Sequence, residues 1–158
     1  MNQGFSPSMA QPAASIDPRR DLLSLLPRLR RFALTLASDV SEADDLVLGA
    51  CSAVLADGLP GDAPRLDLHL FAAIRTLANA HAGTSPKSGA SAPSRCQSLV
   101  LTAPGNLAVS FLLVEVEGLS YAEAADVLHI SSDAVASQLC EARLHFSTLP
   151  SDVTERRA

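Results

Sequence analysis

Hydrophobic residues recur every three or four positions along most of the chain, which is the spacing of amphipathic helices. Apolar positions between Leu22 and Leu36, with arginines interleaved, predict a first helix. Ser41 precedes a second helix with carboxylates in its first turn, where they favour the positive end of the helix dipole, and an apolar stripe over 43–54. Inward-facing residues over 70–78 predict a third helix. Together these helices predict one small domain.

A segment that cannot supply a packed face follows this domain. Residues 82–98 (AGTSPKSGASAPSRCQS) are mainly small residues, proline and glycine, so they predict a flexible linker. A short helix is expected within 99–102. Asn106 is the expected cap of a helix over 107–116, which is apolar nearly all round, and Gly118 is expected to end it in the left-handed conformation. This helix should be buried at the centre of a second domain.

The most informative pattern lies between Ser120 and Leu149. Ser120 and Glu123 have the spacing of a capping box, which predicts a helix over 121–128. A tight turn at 129–131 follows. Apolar residues at intervals of three and four then predict another helix, and the residues expected to face inward are Val135, Leu139, Ala142, Phe146 and Leu149. Two helices joined by so short a turn are typical of a helix-turn-helix.

Two positions around that turn carry predictions of their own. His129 stands where the chain must reverse, and histidine tolerates a positive φ better than bulkier residues do. Ser131 or Ser132 is the expected cap of the following helix, because a serine oxygen accepts a hydrogen bond from the free amides of the first turn.

The helical spacing and the scarcity of aromatic residues together define the expected fold. Aromatic residues make up 4% of the chain, tryptophan is absent, and the apolar positions are mostly Leu, Ala and Val, which favours helix packing. The predicted class is all-α, with two small helical domains joined by a flexible linker and the second domain a helix-turn-helix. The expected limits are a flexible tail at 1–19, a helical domain at 20–81, the linker at 82–98, the helix-turn-helix domain at 99–149 and a tail at 150–158.

Acidic residues concentrate in the carboxy-terminal part of the chain. The formal net charge is -5; residues 97–158 hold three basic and eight acidic residues, whereas residues 1–96 hold nine of each. Arg143 is the one basic residue from position 97 to 150, where six carboxylates stand against it. Because Lys and Arg contacts to phosphate supply much of the affinity for DNA, this balance predicts weak DNA binding by the second domain.

The cysteines and histidines match no pattern for metal binding or catalysis. Cys51, Cys96 and Cys140 form no CxxC pair, so neither a disulfide framework nor a zinc site is predicted. The four histidines lack ligand spacing, and the sequence has no Gly-rich phosphate loop or nucleophile elbow. We expect no enzyme activity, cofactor, metal or small-molecule substrate. No signal peptide or transmembrane run is recognised, so we expect a cytoplasmic protein without a membrane partner.

Three segments of the chain resemble parts of one bacterial protein family. LLVEVEGLSYAEAADVLHISSDAVASQLCEAR (112–143) is similar to the second DNA-binding region of extracytoplasmic-function sigma factors. LLPRLRRFALTLASDVSEADDLV (25–47) resembles the core-polymerase-binding region of that family, and LHLFAAIRTLANA (68–80) lies where its promoter-melting helix would be. The chain is also similar to the sigma-mimicking domain of general-stress response regulators.

The resemblance implies a protein of transcription initiation whose partners are core RNA polymerase, promoter DNA and an anti-sigma factor. In that family the first domain binds polymerase and opens the -10 element, and the last helix reads the -35 element. The positions that match polymerase- or partner-binding residues are Arg28, Arg31, Asp44, Asp45, Leu46 and Val47. The positions that match DNA contacts are Ser132, Ser137, Gln138 and Arg143 in the last helix, and Phe71 and Arg75 in the promoter-melting helix.

The chain departs from the family at the positions that contact DNA. Where the last helix usually has Thr, Lys and Arg, this sequence has Ala134, Ala136, Gln138, Glu141 and His145. Two hypotheses follow: a divergent sigma factor that binds core polymerase and promoters, or a mimic that occupies an anti-sigma factor or another regulator without binding DNA. Restoring charge with Ala136→Lys, Gln138→Arg and Glu141→Arg should raise DNA affinity in low salt.

Overall fold

Six α-helices and one π-helical turn contain most of the residues that the structure describes. The computed structural model describes residues 18–56, 65–81 and 103–148, and none of these lies in a β-strand, which confirms the all-α class. The predicted linker at 82–98, the short helix at 99–102 and residues 1–17 and 149–158 lie outside these ranges. The elements are α1 (Pro18–Leu36), α2 (Val40–Ala56), α3 (Leu66–His81), α4 (Gly105–Phe111), the π-helical turn (Leu112–Val116), α5 (Tyr121–Leu128) and α6 (Ser132–Ser147).

Helices α1, α2 and α3 pack against one another and form the first domain. The rings of Phe32 in α1 and Phe71 in α3 meet edge to face at its centre, with their centroids 5.1 Å apart. Helix α1 continues through Pro27, which it carries in its interior. The other large side chains that are fully buried in this domain are Leu29, Leu46, Leu70 and Ile74.

The start of α2 differs from the sequence-based prediction. Ser41, which was predicted to precede the helix, lies inside it. Asp39 caps the helix: its Oδ1 accepts a hydrogen bond from the backbone N–H of Glu42 at 2.8 Å. The backbone N–H of Ser38 donates in turn to the carboxylate of Glu42 at 2.6 Å. A carboxylate oxygen is a stronger acceptor than a hydroxyl. The helix therefore begins where the carboxylates of Asp39 and Glu42 can accept hydrogen bonds from the free backbone amides at its start.

The buried helix of the second domain also begins earlier than predicted. Pro104 precedes the first residue of α4, so Asn106 lies inside the first turn, is exposed and does not cap the helix. Helix α4 runs directly into the wider π-helical turn Leu112–Val116. Gly118 follows with φ +74°, the left-handed conformation that was predicted for it.

The helix-turn-helix forms as the sequence predicts. Ser120 Oγ accepts a hydrogen bond from the N–H of Glu123 at 3.3 Å, and the Glu123 carboxylate accepts one from the N–H of Ser120 at 2.7 Å. His129 has φ 56°, and Ser131 Oγ caps α6 by accepting from the N–H of Ala134 at 3.2 Å. The predicted inward-facing residues Val135, Leu139 and Ala142 are buried, and Phe146 is half-buried.

The two domains pack against each other and share one hydrophobic core. Helix α1 contacts α4 and α3 contacts α5; we call this contact the domain interface. Phe71 and Ile74 of the first domain belong to the same contiguous buried cluster as Leu113 and Val127 of the second. Since both sets of side chains are withdrawn from water together, the described parts of the two domains form one closed body.

Candidate DNA-binding helix and domain interface

Helix α6, the second helix of the helix-turn-helix, exposes few groups that suit DNA. Ser132 and Ser137, two of the predicted contacts, are exposed and can donate hydrogen bonds. Asp133 and Glu141 are exposed on the same helix. A phosphate backbone would repel their carboxylates, so the accessible charge of α6 opposes the binding of nucleic acid.

Arg143, the predicted cationic contact of α6, is paired inside its own domain. Its Nε donates to a carboxylate oxygen of Glu115 at 3.2 Å, and its Nη2 contacts the same oxygen. The hydrogen bond to Glu115, together with the charge of that carboxylate, raises the pKa of the Arg143 guanidinium above its ordinary value. A DNA phosphate would therefore compete with an acceptor that the π-helical turn already supplies.

Gln138, another predicted DNA contact, is hydrogen-bonded to the interior of the second domain. Ser110 Oγ, which is fully buried in α4, donates to Gln138 Oε1 at 2.5 Å. This bond satisfies a hydroxyl that has been withdrawn from water. Arginine at position 138 would break it, so the exposed Ser137 is a better place to restore positive charge.

The two predicted DNA contacts of α3 are withdrawn from the surface. Phe71 is fully buried, and the Arg28 guanidinium carbon lies over its ring, 5.6 Å from the centroid. The ring therefore cannot stack on a base in this conformation. Arg75 is half-buried and lines a cavity at the domain interface, with its Nε enclosed and without an acceptor among the described residues.

Two arginines predicted to bind polymerase or a partner, Arg28 and Arg31, contact Glu117 of the second domain. Arg28 Nε donates to Glu117 Oε2 at 2.6 Å, and Arg28 Nη2 donates to its backbone carbonyl at 3.3 Å. Arg31 donates to Glu117 Oε1 from Nε at 3.1 Å and from Nη2 at 2.9 Å. The Glu117 side chain is only 1% exposed. Its charge is therefore enclosed by the cations of α1, where solvent screens the pairs little.

A second ion pair crosses the domain interface at the start of α3. Arg65 Nη1 contacts Glu123 Oε1, and Arg65 Nε donates to Asp67 Oδ1 at 3.2 Å. The other oxygen of Asp67 lies 3.6 Å from Arg28 Nη1. Glu123 is also the residue that completes the capping box of α5. One charged network thus joins the first domain to both ends of the segment from Glu117 to Glu123.

The remaining predicted partner-binding positions divide between surface and core. Asp44 accepts two hydrogen bonds from Arg30, at 2.7 and 3.1 Å, and Asp45 is exposed. Leu46 and Val47 are buried in the first domain. Both apolar side chains therefore stabilise that domain, and in this conformation they are not available to a partner.

Sequence reasoning missed the ion pairs of the domain interface. Glu123 was found as a capping residue, but nothing local marks Glu117 or Arg65 as partners of the opposite domain. The paired residues are 89, 86 and 58 positions apart in the chain. Spacing rules for helices apply only to neighbours three or four residues apart, so they carry no information about such pairs.

The described residues contain neither a metal site nor a membrane span. They hold no group of three or more His, Cys, Asp or Glu side chains placed to bind a metal ion. None of their helices has the length and apolar character needed to cross a bilayer.

The described fold is all-helical and contains a helix-turn-helix, and comparison with known proteins narrows this class of fold. Residues 106–146 match the family model for Sigma-70, region 4. No curated protein matches the sequence. The predicted resemblance to sigma factors is thus confirmed for the second domain at the level of sequence.

Two solved structures extend this resemblance to the fold of most of the chain. One is the sigma factor RpoE in complex with the anti-sigma factor NepR from Bartonella quintana, with a TM-score of 0.67 and 22% identity over 82% of this chain and 93% of that chain. The other is the anti-anti-sigma factor PhyR complexed with NepR from the same organism, with a TM-score of 0.55 and 22% identity over 82% of this chain. This chain spans 49% of the PhyR chain. The fold of this chain is therefore similar to the folds of these two proteins.

Proposed function

We propose that this chain is a sigma-like protein that binds an anti-sigma factor or a related regulator by protein–protein contact and does not itself read promoter DNA. The observation that carries the proposal is that α6 has no unpaired arginine or lysine. Its Arg143 is bound to Glu115, while Asp133 and Glu141 are exposed. Nonspecific affinity for DNA depends almost entirely on such cations, so this helix lacks the main source of binding energy.

The closed arrangement of the domains supports the same function. In sigma factors the two domains bind promoter elements that lie more than two turns of DNA apart, a distance of roughly 70 Å. A compact body of about 100 residues has a radius of gyration of only about 13 Å. With Glu117 bound to Arg28 and Arg31, the closed body cannot contact both elements at once.

The exposed surface of the second domain suits a protein partner. Val116, Tyr121 and Leu144 are apolar or aromatic side chains that are 49%, 41% and 67% exposed. Glu141, an exposed carboxylate, lies three residues before Leu144 on α6. Exposed apolar and acidic side chains favour a partner helix with apolar and basic residues. The two structural neighbours are both complexes with the anti-sigma factor NepR, which supports a partner of that type here. We place this interaction in the cytoplasm.

A divergent extracytoplasmic-function sigma factor is the second candidate. The extent of the structural match favours it, because the chain covers 93% of the sigma factor RpoE but 49% of PhyR. In this case the domains would have to separate on core polymerase, and the ion pairs of Glu117 would have to break. The two candidates therefore differ in whether core polymerase induces binding to DNA.

Fluorescence anisotropy on a labelled promoter library, with and without core polymerase at two salt concentrations, distinguishes the candidates. We expect no salt-sensitive binding to DNA in either condition. We also expect saturable binding to an anti-sigma factor from the same genome, and this binding should free the sigma factor that the anti-sigma factor holds, so that it can support transcription. Polymerase-dependent, salt-sensitive binding to particular promoters would establish the divergent sigma factor instead.

A charge-restored variant provides a positive control for the DNA assay. It changes three positions of α6 by a total of four charge units: Ala136→Lys, Ser137→Arg and Glu141→Arg. A matched variant makes the same total change at exposed positions of α2: Asp45→Arg, Leu48→Lys and Ser52→Arg. We expect the first variant alone to bind DNA in low salt, because only α6 occupies the reading position of the helix-turn-helix. Equal binding by both variants would show that total charge, and not α6, governs DNA affinity.

A further inference from the structure

No carboxylate of the described residues binds Arg75 of α3, in contrast to five other arginines of the structure. Its Nε is enclosed from solvent and has no acceptor, and neither an ion pair nor a hydrogen bond reaches its guanidinium from any described residue. An enclosed cationic donor without an acceptor raises the free energy of the folded state. The arginines that do have a carboxylate partner are Arg28, Arg30, Arg31, Arg65 and Arg143.

Arg75 lines a cavity of about 320 Å³ at the domain interface. This volume is at the lower end of the range for small-molecule sites. Thr35 and Leu36 of α1 form its wall on the side of the first domain. Residues of α4, α5 and α6, with the turn between the last two, complete it from the second domain. The cavity therefore exists in this form only while the domains are closed.

The polar groups of the cavity favour an anion. Among the residues that the structure describes, no carboxylate lines it, and Arg75 is the one cation that does. Gln138 also lines it; because its Oε1 already accepts from Ser110, the amide nitrogen is the group that remains to donate. A guanidinium can donate two parallel hydrogen bonds to one carboxylate, which the ammonium of a lysine or a side-chain amide cannot do. Arg75 is therefore suited to bind a carboxylate.

Apart from Thr35, whose hydroxyl donates to the carbonyl of Phe32, and the exposed Asn106, the rest of the described wall is apolar. Leu36, Val109, Leu128 and Ile130 contribute hydrocarbon surface. A hydrated inorganic ion would leave these side chains without a partner, whereas a short alkyl chain or a small ring would remove them from water. The lining therefore suits a ligand with one carboxylate and a compact hydrocarbon part.

We propose that this cavity binds a small organic acid, with its carboxylate on Arg75 and its hydrocarbon part against Leu36, Val109, Leu128 and Ile130. Since both domains line the cavity, the bound acid stabilises the closed body relative to any open form. The proposal does not depend on binding to an anti-sigma factor or to promoter DNA. The ligand proposal and the proposed function can therefore fail independently of each other.

The test is an NMR titration of the full-length ¹⁵N-labelled chain with hexanoate, and with hexanamide as its uncharged analogue. The Nε–H resonance of Arg75 is the direct readout, assigned by its disappearance in Arg75→Lys. We expect hexanoate to shift this resonance with a dissociation constant on the order of 1 mM, as suits a ligand of its size. Hexanamide should leave it unshifted at the same concentrations.

Two variants separate the cavity from the rest of the surface. Arg75→Gln removes the charge and should weaken hexanoate binding by about tenfold to a hundredfold, followed on the backbone amides of Val109 and Ile130. Arg143→Gln removes an arginine outside the cavity and should bind hexanoate as the unchanged chain does. Three results would overturn the proposal: no saturable shift of the Arg75 Nε–H, equal affinity for hexanamide, or unchanged affinity in folded Arg75→Gln.

Discussion

Replacing Glu117 by glutamine tests whether charge holds the two domains together. Glutamine keeps the shape of the side chain and one oxygen acceptor, but it removes the negative charge that Arg28 and Arg31 share. Three hydrogen bonds to the carboxylate are affected, with lengths of 2.6, 3.1 and 2.9 Å. The site is asymmetric, since Glu117 is 1% exposed while the arginine side chains are 29% and 49% exposed.

This asymmetry sets the expected magnitude. A hydrogen bond to a charged group contributes about 1.5–3 kcal/mol, and breaking a fully buried pair costs about 3–5 kcal/mol. Arg28 and Arg31 can regain hydration when the charge of Glu117 is removed, so the full buried-pair value does not apply. We therefore expect Glu117→Gln to lower the free energy of unfolding by about 2–3 kcal/mol.

Urea unfolding followed by circular dichroism measures the stability, and small-angle X-ray scattering measures whether the domains separate. Asp44→Asn is the matched control, because it removes the carboxylate of an ion pair that lies on the surface of the first domain. We expect that control to change stability little, since exposed pairs are screened by water and salt. The Glu117 variant should also show a larger radius of gyration.

Unfolding of both variants at the same urea concentration would refute this electrostatic account of the domain interface. A loss of stability in Glu117→Gln without any change in the radius of gyration would have a narrower meaning. It would show that the apolar contacts keep the domains closed even when the charged contacts are weakened.

Three further predictions concern the core, a turn and a thiol. Phe71→Ala should lower the free energy of unfolding by about 3–5 kcal/mol, measured in urea, because the ring is fully buried. His129→Gly should raise the melting temperature through a gain of up to about 1 kcal/mol, because glycine adopts the observed φ of 56° without strain. Burial raises the pKa of the Cys51 thiol, so iodoacetamide should alkylate the exposed Cys140 before Cys51 and should react with Cys51 only at higher pH. Equal rates of alkylation at these two cysteines would mean that α2 opens readily.

Local chemistry explains which parts of the fold were predictable from the sequence. The capping box of Ser120 and Glu123, the left-handed Gly118 and the cap at Ser131 depend on residues within four positions of one another, and all three form as predicted. Ser41 was predicted to precede α2 but lies inside it, because Asp39, two residues earlier, accepts from the first-turn amide of Glu42. Element type was therefore more predictable than element boundaries.

The candidate site was less predictable, because its residues act through contacts with distant segments. The sequence places Gln138 on α6 but does not show that Ser110, 28 residues earlier, binds its amide oxygen. It likewise gives Arg28 the character of a surface cation, whereas the folded chain places it over Phe71 and against Glu117. Tertiary packing decides which face of each helix remains accessible, and helical periodicity alone does not contain that information.

The shared core of the two domains affects whether this chain binds partners of its closed form or of its open form more tightly. Opening the domains would divide the shared buried cluster and expose part of it to water, which disfavours the open form. A protein that binds only the open form has its affinity reduced by the fraction of chains that are open, whereas one that recognises the closed form does not. Truncating a core side chain such as Val127 would therefore weaken partners of the closed form and strengthen partners of the open form in one step, with neither binding surface changed.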